Sequence, residues 1–450
     1  MTESHDTKKA KQIRTPRVTD CASGHSYNDF YAYLPTHGYL HAPSHAIWPA
    51  ASINSILPYR QVNGRWMKPS RWLDQYQAVT QLAWAPDSPT LIRGRIMQES
   101  GWQAHPDACL FNLYTPPSVL PGDARLATPW IDHLKRLYPD HFEHLANWFA
   151  HTVQHPGIKI NHALLLGGAP GIGKDTLLEP VRAAVGAHNF ADISPRMMQS
   201  RFNGWLRNII VRVSEVRDLG DVDRYAFYEH CKPLLAAPPD ALRVDEKNLR
   251  EYYVANACNI IFTSNYLADG LYLPADDRRH FVAWSEARAT DFQEGYWRDM
   301  WTWYANGGLG HVGAWLRARD LATFDPKMPP PHTPAFWIMA QAIDAPEQSE
   351  MHDLLDLLNN PPAVTLSDLV TGAMRHNMRE IEEQLVNRRL RRSIPRRMEH
   401  VGYAPVRNPN AEDGLFKVGG KRVVIYALRS LNPADQLQAA QRRISAGTLP

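Results

Sequence analysis

The chain carries two hydrophobic rhythms, and one gives way to the other near residue 126. Residues 21–125 hold short apolar runs such as HGYLHAP, NGRWMKPSRWL and PTLIRGRIM, broken by Pro and turn residues, which predicts short strands and tight turns. From residue 128 the spacing lengthens. WIDHLKRLY and HFEHLANWFAHTVQ repeat apolar positions at steps of three and four, predicting two amphipathic helices, the second ended by Pro156 and Gly157. HALLLGG then reads as a buried strand, and up to about residue 285 strands and helices alternate as in a three-layer α/β domain. PKMPPPHTP, at 326–334, predicts a Pro-rich linker, and FWIMAQAIDAPE and MHDLLDLL beyond it look helical. Three helices follow (AVTLSDLV, MREIEEQLVNRRL and SIPRRMEHV), then two strands, GLFKV and KRVVIYAL, around Gly419–Gly420. Three helices plus a hairpin is the layout of a winged helix. The expected organisation is a disordered basic tail over 1–20, a mixed α+β accessory domain over 21–125, an α/β domain over 126–325, a linker over 326–350, a winged helix over 351–432 and a polar tail over 433–450.

Composition narrows the class. With 450 residues, 44% of them hydrophobic, the chain buries a sizeable core and is not wholly disordered. No apolar run approaches the roughly 18 residues a membrane-spanning helix needs, so no membrane partner is expected. The four cysteines, Cys21, Cys109, Cys231 and Cys258, lie far apart with no CxxC pair, which argues against structural zinc and for a reducing, cytoplasmic setting. His37, His41 and His45 recur every four residues, but Gly38 and Pro43 break the helix that would align them for a metal. Net charge is only +3, so any case for nucleic-acid binding rests on local charge.

The sharpest local signal is GGAPGIGKDTLLEPVRAAVG, which follows the strand at Ala163–Leu166. Gly168, Gly173 and Lys174 fit GxxxxGK between a strand and a helix. Glycines there, with Gly171 among them, let backbone N–H groups turn inward around a phosphate, the helix dipole points at the same place, and Lys174 faces the β and γ phosphates. The ligand expected is ATP with Mg²⁺. The position after the lysine, normally Ser or Thr, is Asp175, with Thr176 next. Either Asp175 shares the magnesium shell, or Thr176 substitutes for the hydroxyl, or Asp175 faces away and caps the helix. NIIVRVSE reads as a strand ending in Glu215, suited to magnesium or to polarising water. NIIFTSN ends in Asn265, an amide able to orient water or sense the γ phosphate. Arg278 and Arg279 precede a further strand, where an arginine can reach a neighbouring subunit's γ phosphate or simply pair with Asp276 or Asp277. ALRVD and REYYVAN form a hairpin with Lys247 near its tip.

In this order the motifs GAPGIGKDT, IIVRVSE, RVDEK, IIFTSN and DDRR resemble those of the superfamily 3 helicases, a branch of the AAA+ ATPases, and among them the primase–helicase proteins of phages and integrated elements. The resemblance covers about residues 130–290. It implies an AAA+ core assembled into a homo-oligomeric ring, a hexamer, with single-stranded DNA in its pore. Lys174 and Glu215 would serve the nucleotide, Asn265 would sense it, Arg278 or Arg279 would be the finger, and Lys247 and Lys232 would meet DNA. Two departures stand out: Asp175 in the loop, and a single acid, Glu215, at the strand end. The N-terminal hundred residues lack a cluster of metal-binding acids, so a separate primase or polymerase is expected.

Residues 365–430 hold 13 Lys or Arg against 7 Asp or Glu. Arg388, Arg389, Arg391, Arg392, Arg396 and Arg397 crowd into ten positions, with Lys417, Lys421 and Arg422 on the hairpin. That concentration on a helix-turn-helix-like unit is the footprint of contact with duplex or forked DNA. Two other readings fit parts of the pattern: a P-loop nucleotide kinase, and a replication initiator that uses ATP as a switch without unwinding.

Overall fold

The computed structural model describes residues 24–214, 224–247, 251–267, 271–386 and 394–445. They form two compact units, one of residues up to 271 with 276–335, the other of 272–275 with 336–450. Among the described residues no helix is long and apolar enough to cross a membrane, no group of three or more His, Cys, Asp or Glu is arranged for a metal, and Cys109, Cys231 and Cys258 are free thiols.

The first unit opens with short elements, as its turn-rich sequence predicts. They are β1 (Phe30–Tyr33), β2 (Gly38–His41), β3 (Ala46–Trp48), α1 (Ala50–Ile56), β4 (Arg60–Val62), β5 (Arg65–Met67), α2 (Pro69–Tyr76), β6 (Ala78–Val79), β7 (Gln81–Ala83) and the ribbon β8 (Leu91–Gln98) and β9 (Gly101–Asn112). The strands make two small sheets, β3-β2-β1-β6 and β7-β9-β8, and the β4–β5 hairpin. Helices α3 (Thr128–Leu137) and α4 (Phe142–Gln154) stand where the apolar spacing placed them. The alternating region supplies β10 (Ala163–Gly168), α5 (Lys174–Val185), β11 (Phe190–Ile193), α6 (Pro195–Met198), β12 (Ile210–Val213), α7 (Arg224–Leu235), β13 (Ala241–Val244), β14 (Tyr252–Ala255), β15 (Asn259–Ser264), β16 (His280–Ser285), α8 (Tyr296–Trp303) and α9 (Leu309–Ala318).

Five of these strands form a sheet in the order β11-β12-β15-β10-β16, every neighbouring pair parallel. ALLLGG of β10 and NIIFTS of β15 are buried at every position, as a parallel strand covered on both faces requires. Polar tips of aromatic side chains tie the helical layer together and to this sheet. Trp130 Nε1 donates to the Leu177 carbonyl at 2.8 Å, Tyr138 Oη to Gly167 at 3.2 Å and Trp148 Nε1 to His162 at 3.3 Å.

Two expected boundaries do not hold in this unit. Tyr33, Val79, Trp84 and Phe111 belong to the same apolar cluster as Leu164 and Leu166, and Ala255 N donates to the Trp84 carbonyl at 2.9 Å. The described part of the segment expected as an accessory domain over 21–125 therefore belongs to the same compact unit as the α/β region and shares part of its core, alongside smaller apolar clusters of its own. The Pro-rich stretch is likewise strapped down: Asn161 N donates to Pro326 O at 2.7 Å, His332 Nε2 to Asp277 O at 2.6 Å, and Thr333 Oγ1 to Val282 O at 2.7 Å. Proline-rich backbone without N–H groups still offers carbonyls and side chains, and here they are used.

The second unit holds α10 (Pro334–Leu357), β17 (Ala363–Thr365), α11 (Leu366–Arg375), α12 (Arg379–Val386), α13 (Ile394–His400), β18 (Tyr403–Val406), β19 (Phe416–Val418), β20 (Lys421–Val423), β21 (Ile425–Leu428) and α14 (Pro433–Ser445). Helix α10 occupies much of the linker expected at 326–350. AVT pairs as a strand before the helix LSDLV begins. KRVVIYAL divides: KRV closes a hairpin with β19, and IYAL becomes the central strand of an antiparallel sheet, β17-β21-β18. Burial of Ile425 and Ala427 against Ala363 and Ala440 accounts for that division. The polar tail expected after 433 is a helix. Asn432 Oδ1 accepts from Asp435 N at 3.0 Å, capping its start, and near its end Arg443 forks onto the Asp368 carboxylate, both side chains buried. Asp368 also closes a capping box with Thr365 at the start of α11, so one carboxylate joins two helices.

Candidate nucleotide-binding site

Because β10, β12 and β15 are parallel, their C-terminal ends share one edge of the sheet, where open α/β sheets place ligands. Gly168 ends β10, the loop continues through Gly171 and Gly173, and α5 starts at Lys174. Gly173 has φ 86° and Gly168 φ 142°. A Cβ on Gly173 would stand 2.4 Å from Trp297, and one on Gly168 would stand 2.7 Å from Ile172 Cδ1, so both positions require glycine by conformation and by space. His133 fixes the turn from below: Nε2–H donates to the Gly173 carbonyl at 3.1 Å, while Nδ1 accepts from Tyr296 Oη at 3.0 Å. Burial pushes the His133 pKa down, which keeps the ring neutral in that role.

Lys174 is the hub. Its Nζ donates to the carbonyls of Gly168 at 2.6 Å and Ala169 at 3.0 Å, and to Asn265 Oδ1 at 2.8 Å. Burial lowers its pKa, against the opposing pull of Asp175. The loop lysine and the strand-end amide, 91 residues apart in sequence, thus meet. Asp175 turns outward and pairs with Arg212 Nη1 of β12 at 2.5 Å, and Arg212 Nε also holds Asp192. Thr176 is buried, and its carbonyl accepts from Tyr304 Oη at 2.9 Å. Glu215 lies outside the described residues; β12 ends at Val213, directed at the same edge.

Arg278 and Arg279 occupy the opposite edge. Ala163 pairs with His280 and Gly168 with Ser285, so five residues, about 16 Å, separate the arginine end of these strands from the loop end. Arg278 is exposed and Arg279 half-buried. Among the described residues neither pairs with a carboxylate. Asp277 is engaged elsewhere, accepting from the Arg279 and His280 amides at 2.9 Å and from Tyr228 Oη at 2.8 Å. Burial alone would raise its pKa, but the adjacent His280 and these bonds hold it well below the usual carboxylate range.

The basic positions separate into distinct groups. Lys247 is exposed at the turn of the β13–β14 hairpin, while its acidic neighbours are tied down: Asp245 to Arg201 at 2.7 Å and Glu246 to Arg207 at 2.6 Å. Lys232 instead pairs with Glu229 and lies 4.8 Å from the Tyr228 ring centroid, so its charge is met within its own helix. Arg391 and Arg392 lie outside the described residues, as does the side chain of Arg396. Arg397, expected on a DNA-facing surface, is buried at 7% exposure and donates to Gln384 Oε1 at 2.8 Å; it packs α13 against α12. Lys417, Lys421 and Arg422 are exposed on the β19–β20 hairpin, with Arg422 held by Asp413 at 2.6 Å.

A family model described as a family of unknown function (DUF5906) matches residues 165–279. The match begins in β10 and ends at Arg279, so it spans the loop, Asn265 and the arginines. Over 120 residues the chain is 28% identical to a DNA primase-polymerase of Nitratiruptor phage NrS-1. That alignment takes in 26% of this chain and 16% of the phage protein, so the chain matches only a small part of that relative's length. The apo structure of the NrS-1 C-terminal region aligns with 89% of this chain and 95% of its own, at 14% identity and a TM-score of 0.56; an A form of the same region gives 0.53. At that identity the likeness is one of fold.

Sequence reasoning missed Arg212, His133 and two of the three tryptophans of α8, Trp297 and Trp301. Arg212 was visible as the lone charge inside an apolar strand, and YWRDMWTWY sets Trp297 and Trp301 four apart.

Proposed function

We propose that this chain is an ATP-dependent, ring-forming DNA helicase of the superfamily 3 type, acting in phage or mobile-element DNA replication. The observation that carries the reading is the placement of Lys174 and Asn265 at one edge of a parallel sheet and of Arg278 and Arg279 at the other. Such a chain binds a triphosphate with its own loop and offers its arginines to the next subunit. The sequence similarity to a phage DNA primase-polymerase supports the replication setting.

In this account the Lys174 ammonium exchanges its loop carbonyls for the β and γ phosphates, and the free amides at the start of α5 face the same charge. Asn265, already within hydrogen-bond reach of Lys174, orients the attacking water, and Glu215, two residues beyond β12 in sequence, takes its proton. Thr176, Glu215 and Asp175, once released from Arg212, are the residues that would hold Mg²⁺, which neutralises charge on the phosphate oxygens. An arginine from the neighbouring subunit stabilises the transferring phosphoryl group. The exposed Lys247 turn contacts single-stranded DNA in the channel. The second unit acts as a winged helix, with its hairpin lysines and the arginines at 391, 392 and 396 on duplex or fork. Priming falls to a separate primase or polymerase. The test is displacement of a strand from forked DNA by the purified chain with ATP and Mg²⁺. The expected result is displacement that Lys174→Ala abolishes; hydrolysis without displacement on any fork polarity would leave an ATP-switched initiator instead.

A further inference from the structure

One wall of the phosphate cavity has no role in the account so far. The cavity, about 440 Å³, lies between the glycine loop with Lys174 and Asn265 on one side and Trp297 and Trp301 of α8 on the other. That volume suits a whole nucleotide rather than a phosphate group alone. The two indoles stand one helical turn apart and so line the same face. Their surroundings differ. Trp297 presses on the loop at Gly173 and packs against Phe292, with ring centroids 4.8 Å apart. Trp301 lies at the cavity mouth with 49% of its surface exposed. It is not a loose surface side chain. Its ring meets Tyr304 edge-on at 5.6 Å, and Tyr304 is itself buried and bonded through Oη to the Thr176 carbonyl of α5. The indole is therefore braced, through Tyr304, by the helix that carries Lys174. A flat, half-exposed aromatic face held at a fixed position beside a phosphate loop has the chemistry that recognises a heterocyclic base.

We propose that Trp301, backed by Trp297 and Tyr304, is the stacking platform for the nucleobase of the bound nucleoside triphosphate. This rests on the nucleotide reading of the loop and adds where the base lies. Stacking stabilises a base by about 1–3 kcal/mol, so Trp301→Ala weakens ATP binding by about 5- to 150-fold, while Trp301→Phe retains most of the affinity. The phosphate end stays intact, so binding of inorganic tripolyphosphate is unchanged in Trp301→Ala. Lys174→Ala weakens both ligands. The experiment is calorimetric titration of ATP and of tripolyphosphate with Mg²⁺ into the full chain and these three variants, with thermal midpoints recorded for each. Selective loss of ATP affinity in Trp301→Ala supports the platform. Unchanged ATP affinity in that variant, or equal loss of both ligands, overturns it. A wild-type chain that binds neither ligand overturns the loop reading itself, and the platform with it.

Discussion

The position of Arg278 and Arg279 makes a quantitative prediction about subunits. The β10–β16 register sets them about 16 Å from the loop of their own chain, beyond the reach of an arginine side chain. If one of them completes the site, it does so across an interface. Arg279→Ala, or Arg278→Ala if that is the finger, should bind ATP normally and lose about 10³–10⁵-fold in turnover, the usual worth of such a residue. Lys174→Ala should also be inactive, for a different reason. In a heterologous ring each working site needs an intact lysine from one subunit and an intact arginine from the next. Random mixing of the two inactive variants in equal amounts therefore restores about one quarter of wild-type activity, if sites act independently. The assay is steady-state ATP hydrolysis across a series of mixing ratios at fixed total protein, which should trace a curve that peaks at equal amounts and is zero at both ends. Zero activity at every ratio, with both variants folded and co-assembled, would refute the interface role and favour a kinase that completes its site within one chain.

Three further outcomes follow from the same geometry. Arg443→Ala strands the buried Asp368 carboxylate and should destabilise the second unit by about 3–5 kcal/mol in urea unfolding followed by near-ultraviolet circular dichroism; a loss under 1 kcal/mol would mean the fork is replaced by solvent. His144 and His162 face each other at 3.0 Å, and burial pushes their pKa values down to about 4 and about 3, with His151 also at about 4. These rings are neutral in the fold and protonate more readily in the unfolded chain, so stability should be constant in this respect above about pH 6.5 and fall steadily below it; a flat midpoint between pH 7 and pH 5 would contradict that. Asp175→Asn removes an exposed charge whose pairing contributes about 0–1 kcal/mol, so the thermal midpoint should hold while the Mg²⁺ concentration for half-maximal hydrolysis rises; an unchanged Mg²⁺ requirement would leave Thr176 and Glu215 as the holders.

What the sequence showed depended on how local the determinant was. The strand–glycine–lysine–helix unit is written in adjacent residues and takes that form, whereas the contact of Lys174 with Asn265 joins residues 91 apart and was not read from the sequence. The long apolar helices α3 and α4 were equally plain. Domain boundaries were not, because they depend on which apolar faces find one another. Trp84 and Phe111 look like the core of a small N-terminal domain until their common packing with Leu164 and Leu166 is seen. The tail after residue 433 looks polar because its buried residues, among those described, are Ala440 and an arginine that needs Asp368, 75 residues away, with Leu437, Ala439 and Ile444 half-buried beside them. Arg397 shows the reverse error. Arginine-rich composition counted it as surface, but its long apolar stem and Gln384 let it lie inside. Trp297 and Trp301 of α8, missed from the sequence, reach the glycine-loop edge only through the three-dimensional approach of α8 to Gly173.

The central claim is that ATP hydrolysis at the Lys174 loop is coupled to single-stranded DNA. Its most direct test is the hydrolysis rate of the wild-type chain, Lys174→Ala and Lys247→Ala, each with and without single-stranded DNA. The account predicts basal hydrolysis stimulated by DNA in the wild type, neither in Lys174→Ala, and unstimulated basal hydrolysis in Lys247→Ala. A wild-type rate indifferent to DNA, or a Lys247→Ala chain stimulated as strongly as the wild type, would contradict it.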